Sequence, residues 1–267
     1  MLSPDRSVIR RAAGAACLMM ALAGSAFAQE PKPAPQTIEY FSRYNFHMSG
    51  MSLSSDDPRF AWDAHFGADV DALDYVVGRM SFLMDYEAVM GSELRPFDPN
   101  QGNYTLEGSL SYRFGGVEVA ALMHHVSRHL GDREKEFAIA WNTLGARVLK
   151  QATFDGTAVE ATADLAWIGQ RSYVDYQWIG NAAVDLRRPV WPHTVVYGRG
   201  AGQLVGINSS VSTRPTQVGG VLEGGVRLAG TDGVVELFVG FERRIDADPL
   251  DFQAQQWMTV GFRLLRR

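Results

Sequence analysis

The feature that most constrains this chain is a two-residue alternation of apolar and polar side chains that recurs along most of its length. In residues 60–70 the even positions are apolar, whereas the odd positions include Asp63 and Asp69. The same alternation returns in residues 76–88 and 104–114. A period of two is typical of a β-strand, because successive side chains point to opposite faces of a sheet.

Twelve segments of this kind predict twelve strands. Their predicted bounds are 38–51, 60–70, 76–88, 104–114, 117–129, 136–149, 158–168, 174–187, 194–206, 216–228, 233–243 and 254–265. Short turns at 114–116, 155–156 and 229–233 alternate with longer polar connections such as 91–103. Glycine and aspartate in the short connections are typical of tight turns.

The polar faces of these strands carry charges, which decides between a soluble sandwich and a membrane barrel. The charged positions are Asp63, Arg79, Asp85, Glu87, Glu107, Arg113, Glu160, Asp164, Asp175, Asp185, Glu223, Arg227, Glu236 and Glu242. A soluble core cannot bury so many charges unpaired, whereas a barrel with a wet interior and a lipid-facing exterior can. The sequence therefore predicts an all-β, twelve-stranded antiparallel transmembrane β-barrel of the outer-membrane type. Its interior is either a set of cross-strand ion pairs or a narrow pore.

Aromatic residues near the strand ends fit the same prediction. With both termini in the periplasm, six of them are expected near the outer end as an interfacial girdle: Trp62, Tyr86, Tyr104, Trp141, Trp167 and Trp178. The barrel-assembly machinery is an expected partner. Such barrels usually end on an aromatic residue, whereas this chain ends in GFRLLRR.

The start of the chain predicts export. Residues 1–28 combine three arginines, a short apolar run and a small-x-small site, which describes a secretory signal peptide cleaved after Ala28. Residues 29–37 then form a short extended leader, and residues 38–267 form the barrel. Export together with this fold predicts the bacterial outer membrane as the location.

Charge and cysteine content narrow the function. The formal net charge of −5 becomes −7 when three arginines and one aspartate leave with the signal peptide, which argues against nucleic acid as a partner. The single cysteine, Cys17, lies in the signal peptide, so the mature chain has no disulfide. Lipidation at Cys17 is an alternative reading.

One hairpin carries candidate chemistry. His125, Ser127 and His129 continue the apolar parity of their strand, so they are expected to face lipid near the outer boundary. If the hairpin turns near Glu134, Ser127 lies about opposite Asn142, which parity also places outward. A His-x-Ser pair with an amide supplies the base, nucleophile and orienting group of an acyl-transfer site.

This hairpin resembles outer-membrane phospholipase A, a twelve-stranded barrel whose His-x-Ser and Asn lie on consecutive membrane-facing strands. The resemblance implies that His125 is the base, Ser127 the nucleophile and Asn142 the residue that holds the imidazole. It also implies outer-membrane lipids as partners, and makes calcium and a homodimer possible. An Asn-Gly follows the serine in that family, whereas Arg128-His129 follows it here, and no calcium ligands can be matched. A barrel lipid A deacylase also uses His-x-Ser, so the acyl substrate stays open.

A second resemblance rests on HHVSRHLGD together with DDPRF before the second strand. This pattern is similar to a family of exported barrel proteins of unknown function with a His-x-Ser-x-His-Leu-Gly-Asp signature. This resemblance implies that the chain is a member of that family, and it implies no particular activity.

The polar residues of this hairpin also have a non-catalytic interpretation. Arg128, His129 and Arg133 can simply contact lipopolysaccharide phosphates. The alternative function is then a non-enzymatic barrel, either a narrow channel or a structural outer-membrane protein.

A metal site in the hairpin is a weaker prediction. His125 and His129 are about 13 Å apart along a strand, too far to share one ion. Asp132, Glu134 and Glu136 in the loop are candidate calcium ligands, although an acidic loop is more often simply solvated.

Overall fold

The structure is a computed structural model that describes residues 35–131, 133 and 136–266. The predicted signal peptide and residues 29–34 lie outside the described residues, as do Asp132 and Glu134. Among the described residues there is no helix with the length and hydropathy needed to cross a membrane.

Twelve antiparallel strands close into a single barrel, which confirms the predicted fold class. They are β1 (Glu39–Leu53), β2 (Trp62–Asp74), β3 (Arg79–Gly91), β4 (Asp98–Phe114), β5 (Val117–Leu130), β6 (Ile139–Phe154), β7 (Thr157–Ser172), β8 (Tyr176–Trp191), β9 (Thr194–Ile207), β10 (Gln217–Ala229), β11 (Gly233–Asp248) and β12 (Gln253–Arg266). Each strand pairs with its neighbour in the chain, and β1 pairs with β12 to close the sheet. Closure leaves no free sheet edge, as a bilayer requires.

The two ends of the barrel differ. The end at which β1 begins and β12 ends, here called the terminal end, has tight turns such as Gly115–Gly116, where both residues have positive φ as a two-residue hairpin turn needs. The opposite end, here called the loop end, carries longer connections such as 54–61 and 208–216. The predicted loop at 91–103 is wrong beyond residue 97, because β4 begins at Asp98, where its backbone pairs with Gly91 of β3.

The outer surface of the barrel is apolar. Large exposed side chains ring it, including Phe66, Phe82, Leu110, Met123, Leu144, Leu222 and Val260. Of the predicted girdle, Trp62, Tyr86, Tyr104 and Trp167 are exposed, and Trp178 shares the face of its partner Trp167. An apolar exterior of this kind fits lipid.

Trp141 is a correction to that girdle. It is buried in an apolar cluster, with its ring 5.2 Å from the ring of Tyr176. Trp141 shares the parity of Arg147, which points into the barrel, and so it faces inward.

The interior is held together by ion pairs, as one of the two readings predicted. Arg147 on β6 donates two hydrogen bonds to Glu107 on β4, at 2.6 and 2.8 Å. Arg263 on β12 contacts Glu223 and Glu236 on two other strands. Removing one partner of such a buried pair costs about 3–5 kcal/mol, because the other charge is left uncompensated.

One stretch of β11 leaves the barrel wall. Alternation along β11 stops at Arg244, and the four residues Ile245–Asp248, here called the inward segment, are all buried. The pairing with β12 slips between Arg244 and Asp248, and Asp246 has a positive φ of 45°. Between these two positions the chain therefore bulges into the lumen, and it rejoins the wall at Asp248, which pairs with Gln253 of β12.

The opposite wall of the barrel holds the inward segment. Five strands separate β5 from β11 in either direction around the barrel. Arg128 of β5 nevertheless donates hydrogen bonds to the carbonyl oxygens of Asp246, at 2.6 Å, and Ala247, at 2.8 Å. Gln101 of β4 and Tyr176 of β8 add bonds at 2.9 and 2.7 Å. Together these contacts bridge the lumen near the loop end.

The closed sheet predicts heat-modifiable migration. Folded protein in detergent should run at a different position from boiled protein on a gel, because a closed barrel resists unfolding by detergent at room temperature. Identical migration, together with solubility in buffer without detergent, would contradict the barrel.

The bridged lumen predicts a low conductance. In planar bilayers the parent protein should show no steady open channel, whereas Arg128→Ala should open one at least intermittently, since it removes two of the four bonds to the inward segment described above. Arg188→Ala is the matched control, because Arg188 is exposed near the terminal end. A steadily conducting parent, or no difference between Arg128→Ala and the control, would show that the inward segment does not obstruct the bore.

Candidate active site

The face of β5 that meets the surroundings carries three polar residues near the loop end. His125 and Ser127 are partly exposed and His129 is exposed, in parity with the exposed Met123. The alternate residue Arg128 is only 8% exposed and points into the lumen. The predicted outward orientation of His125, Ser127 and His129 is thus confirmed.

The pairing of β5 with β6 differs from the prediction. His125, not Ser127, lies opposite Asn142, and Ser127 lies opposite Ala140. The hairpin closes slightly earlier than expected, and in an antiparallel pair a shift of one residue in the turn moves each partner by two. A shift of two preserves the face, so Asn142 still points outward.

This register brings the imidazole and the amide into contact. His125 Nδ1 lies 2.6 Å from Asn142 Oδ1. An amide oxygen can only accept, so Nδ1 of His125 carries the hydrogen, and Nε2 of the neutral ring is left as an acceptor. Asn142 therefore selects the tautomer that a general base needs.

A third strand supports the amide. Asn142 Nδ2 donates a hydrogen bond of 3.0 Å to Gln170 Oε1 on β7. The three side chains form a line across β5, β6 and β7, and Gln170 fixes which way the Asn142 amide faces. Sequence reasoning missed Gln170.

The omission has a structural cause. The pairing of β6 with β7 slips at this point, with Thr143 opposite Ile168 and Asn142 opposite Gln170. Gly169 is the unpaired residue of this bulge, and it reverses the parity of the residues that follow. Simple alternation would have placed Gln170 inside the barrel, and the predicted strand ended at residue 168.

Ser127 contacts a different imidazole. Its Oγ lies 3.0 Å from Nε2 of His129, whose ring meets the edge of Tyr104 at a centroid distance of 5.4 Å. The serine thus has a histidine two residues away on either side, one held by an amide and one in contact with the hydroxyl. His129 is therefore an exposed residue that also contacts two side chains, Ser127 and Tyr104.

Two residues expected at lipid phosphates are engaged elsewhere. Arg128 is bonded inside the lumen, and Arg133 forms an ion pair with Asp248 at 2.7 Å. The headgroup reading of Arg128 is wrong because its parity is inward. Of the calcium candidates, Glu136 is exposed, and Asp132 and Glu134 lie outside the described residues.

The surroundings of the site are apolar. His125 pairs with Leu106 of β4, and Ser127 pairs with Tyr104, both of them exposed. Leu144, two residues from Asn142, is exposed as well. A molecule that reaches Ser127 from outside must lie against these side chains, which favours a lipid.

Comparison with known proteins gives the fold a context. No protein-family model matches the sequence, and no curated protein matches it. Among solved structures, outer membrane phospholipase A from Escherichia coli superimposes with a TM-score of 0.52 at 14% identity, covering 84% of this chain and 92% of that one. The Salmonella typhi outer membrane phospholipase dimer with bound calcium gives 0.51 at 14%, covering 88% and 94%.

A channel is similar to the same degree. The COG4313 outer membrane channel from Pseudomonas putida F1 gives a TM-score of 0.51 at 12% identity, covering 90% of this chain and 99% of that chain. Likeness at these identities extends to the fold, and the fold is an outer-membrane β-barrel.

Proposed function

We propose that the protein is a lipid acyl hydrolase of the bacterial outer membrane, with Ser127 as nucleophile, His125 as base and Asn142 as the residue that orients it. The observation that carries the proposal is the 2.6 Å contact between His125 Nδ1 and Asn142 Oδ1 beside an outward-facing serine. The apolar surroundings support a substrate delivered from the membrane.

The proposed reaction is acyl transfer to serine. Ser127 Oγ attacks the ester carbonyl carbon while its proton passes to His125 Nε2, and the C–O bond to the leaving alcohol breaks as that alcohol takes the proton. Water then attacks the acyl-serine, with His125 again accepting and returning a proton, and releases the fatty acid. Before attack, Ser127 Oγ must exchange its contact with His129 for one with His125, and a rotation about the Cα–Cβ bond of Ser127 is the first step of this change.

The structural neighbours support this class of function. Two are named phospholipases, and another is described as an active-site mutant in which an asparagine is replaced by alanine, with a TM-score of 0.50 and 14% identity. An asparagine in an active site is the role proposed for Asn142. Phospholipid and lipid A are both candidate substrates.

A non-enzymatic barrel is the second candidate, favoured by the likeness to a channel. The contacts between Arg128 and the inward segment weigh against a steadily open pore, because they span the lumen. A structural barrel without activity is the outcome if no hydrolysis is found.

Loss of the Ser127 hydroxyl should abolish hydrolysis. Refolded protein is incubated in mixed micelles with phospholipid or lipid A, with and without calcium, and released fatty acid is measured. Ser127→Ala and His125→Ala should each lower the rate by about 10⁴-fold or to background, because nucleophile and base act as one unit. The calcium arm is included because one neighbour is described as a dimer with bound calcium.

His129→Ala is the matched control, since it removes an imidazole from the same face and strand. Its rate should stay within about tenfold of the parent, because the proposed base is His125. Fold is checked by heat-modifiable migration. If the Ser127→Ala variant hydrolyses lipid as fast as the parent, Ser127 is not the nucleophile and the proposed site is excluded. If the rate falls in His129→Ala but not in His125→Ala, His129 is the base.

The line of side chains predicts a graded loss. Asn142→Ala should lower the rate on the order of 10²-fold, because the imidazole can then turn. Gln170→Ala should lower it less, since the amide of Asn142 keeps its contact with His125. Both substitutions should lower kcat more than they change KM. A loss of rate from Gln170→Ala that equals or exceeds the loss from Asn142→Ala would contradict the proposal that Gln170 acts through Asn142.

A further inference from the structure

A second polar cluster lies inside the barrel, away from the candidate active site. This lumenal cluster consists of His47 on β1, Asp63 and His65 on β2, Asp85 and Glu87 on β3, and Glu242 and Arg244 on β11. Within it four carboxylates surround one arginine and two histidines. Arg244 contacts three of the carboxylates, Asp63, Glu87 and Glu242.

Three members of the cluster aim ligand atoms at one point. His65 Nε2 lies 3.6 Å from Asp63 Oδ1 and 3.9 Å from Glu87 Oε1. One ligand atom from each of the three residues lies within 4.8 Å of the other two. Ligands that bind one Zn²⁺ at about 2.1 Å are roughly 3–4 Å apart. Small side-chain movements would therefore bring all three into the range of a single ion.

The buried carboxylate of Asp63 gives independent support. Asp63 is fully buried, and its Oδ1 accepts no hydrogen bond from the residues that the structure describes, although Oδ2 is bonded to Arg244 at 2.5 Å. A buried carboxylate oxygen without a donor is costly. This oxygen is the one that points toward His65 and Glu87, so a cation at that point would satisfy it.

The outer contacts of the three residues have the arrangement that supports metal ligands. His65 Nδ1 is held by Asp85 Oδ2 at 2.8 Å, which leaves Nε2 free to coordinate. Asn103 donates a hydrogen bond of 2.6 Å to Glu87 Oε2, so the oxygen turned toward His65 is Oε1, which also pairs with Arg244 at 2.9 Å. A carboxylate on the far nitrogen of a ligating histidine is the usual way to fix the ring and raise its basicity.

Asp85 is in turn fixed from β1. Its Oδ1 lies 2.7 Å from His47 Nε2, and the His47 ring reaches it across Gly67 of β2. A Cβ at Gly67 would lie 2.7 Å from the His47 ring, so only glycine leaves room for this contact. The supporting residues are therefore built into three adjacent strands.

There is also room for further ligands. A cavity of about 280 Å³ borders His65, Glu87 and Arg244 and continues toward Thr259 and Gly220. Water from this cavity can complete the coordination of an ion that has three protein ligands.

We propose that the lumenal cluster binds one divalent transition cation, such as Zn²⁺, through Asp63, His65 and Glu87. One imidazole with two carboxylates suits Zn²⁺ or its neighbours better than Mg²⁺ or Ca²⁺, which prefer oxygen alone. The ion would join β2 to β3 and, through Arg244, to the base of the inward segment.

The test uses untagged, refolded full-length barrel in detergent, treated with a chelator, which is then removed. Zn²⁺ is titrated by calorimetry, and Co²⁺ is added separately to read the ligand field from its visible spectrum. The parent should bind one ion per chain. His65→Ala should weaken binding at least 100-fold, and Asp85→Asn, which removes only the support of the ring, should weaken it 10- to 100-fold.

His124→Ala is the matched control, because His124 also faces the lumen of the barrel but lies outside the cluster. It should bind like the parent. If His65→Ala does not refold, His65→Gln and Asp85→Asn carry the comparison, with heat-modifiable migration as the check of fold. A parent that binds no ion, or binding that is the same in the parent and the cluster variants, would overturn the proposal and leave the cluster as a network of ion pairs.

Discussion

The two-residue period of side chains in a closed sheet is the constraint on which the whole structure depends. Because every strand pairs on both sides, each side chain has only two directions, inward to the lumen or outward to the surroundings. Ion pairs such as Arg147 with Glu107 follow from one direction, and an apolar surface follows from the other. A polar residue that points outward is then conspicuous, and His125 and Ser127 are residues of this kind.

The same period places the candidate site and the lumenal contacts on opposite faces of one short stretch of β5. Ser127 and His129 face outward, whereas Arg128 between them crosses the lumen to the carbonyls of Asp246 and Ala247. The backbone that carries the serine is therefore fixed from inside. A rigid strand suits a candidate site whose side chains come from three neighbouring strands, because their spacing then depends little on loops.

Alternation was sufficient to predict the class of fold and the outward direction of His125, Ser127 and Asn142, since neither depends on exact register. Register was not predictable to one residue. The turn between β5 and β6 closes earlier than expected, and the partner of Asn142 changed from Ser127 to His125 without a change of face.

The features that could not be predicted from the sequence lie where the strands depart from simple alternation. The bulge at Gly169 turns Gln170 outward, and the slip after Arg244 sends Ile245–Asp248 into the lumen. Each depends on pairing with a neighbouring strand, and no local pattern in the sequence announces it. The contact of Arg128 with β11 joins residues that are 118 positions apart, which is beyond the reach of any pattern within a strand.

The bridged lumen and the outward site are consistent with each other for a physical reason. An enzyme that takes its substrate from the surrounding lipid uses only the exterior of the barrel, so its interior is free to be filled with charges, a crossing segment and a cation. A transport protein needs the reverse, an interior that opens and an exterior without chemistry. The proposed lipid hydrolase is compatible with both the bonds of Arg128 across the lumen and the bond of His125 to Asn142 outside it.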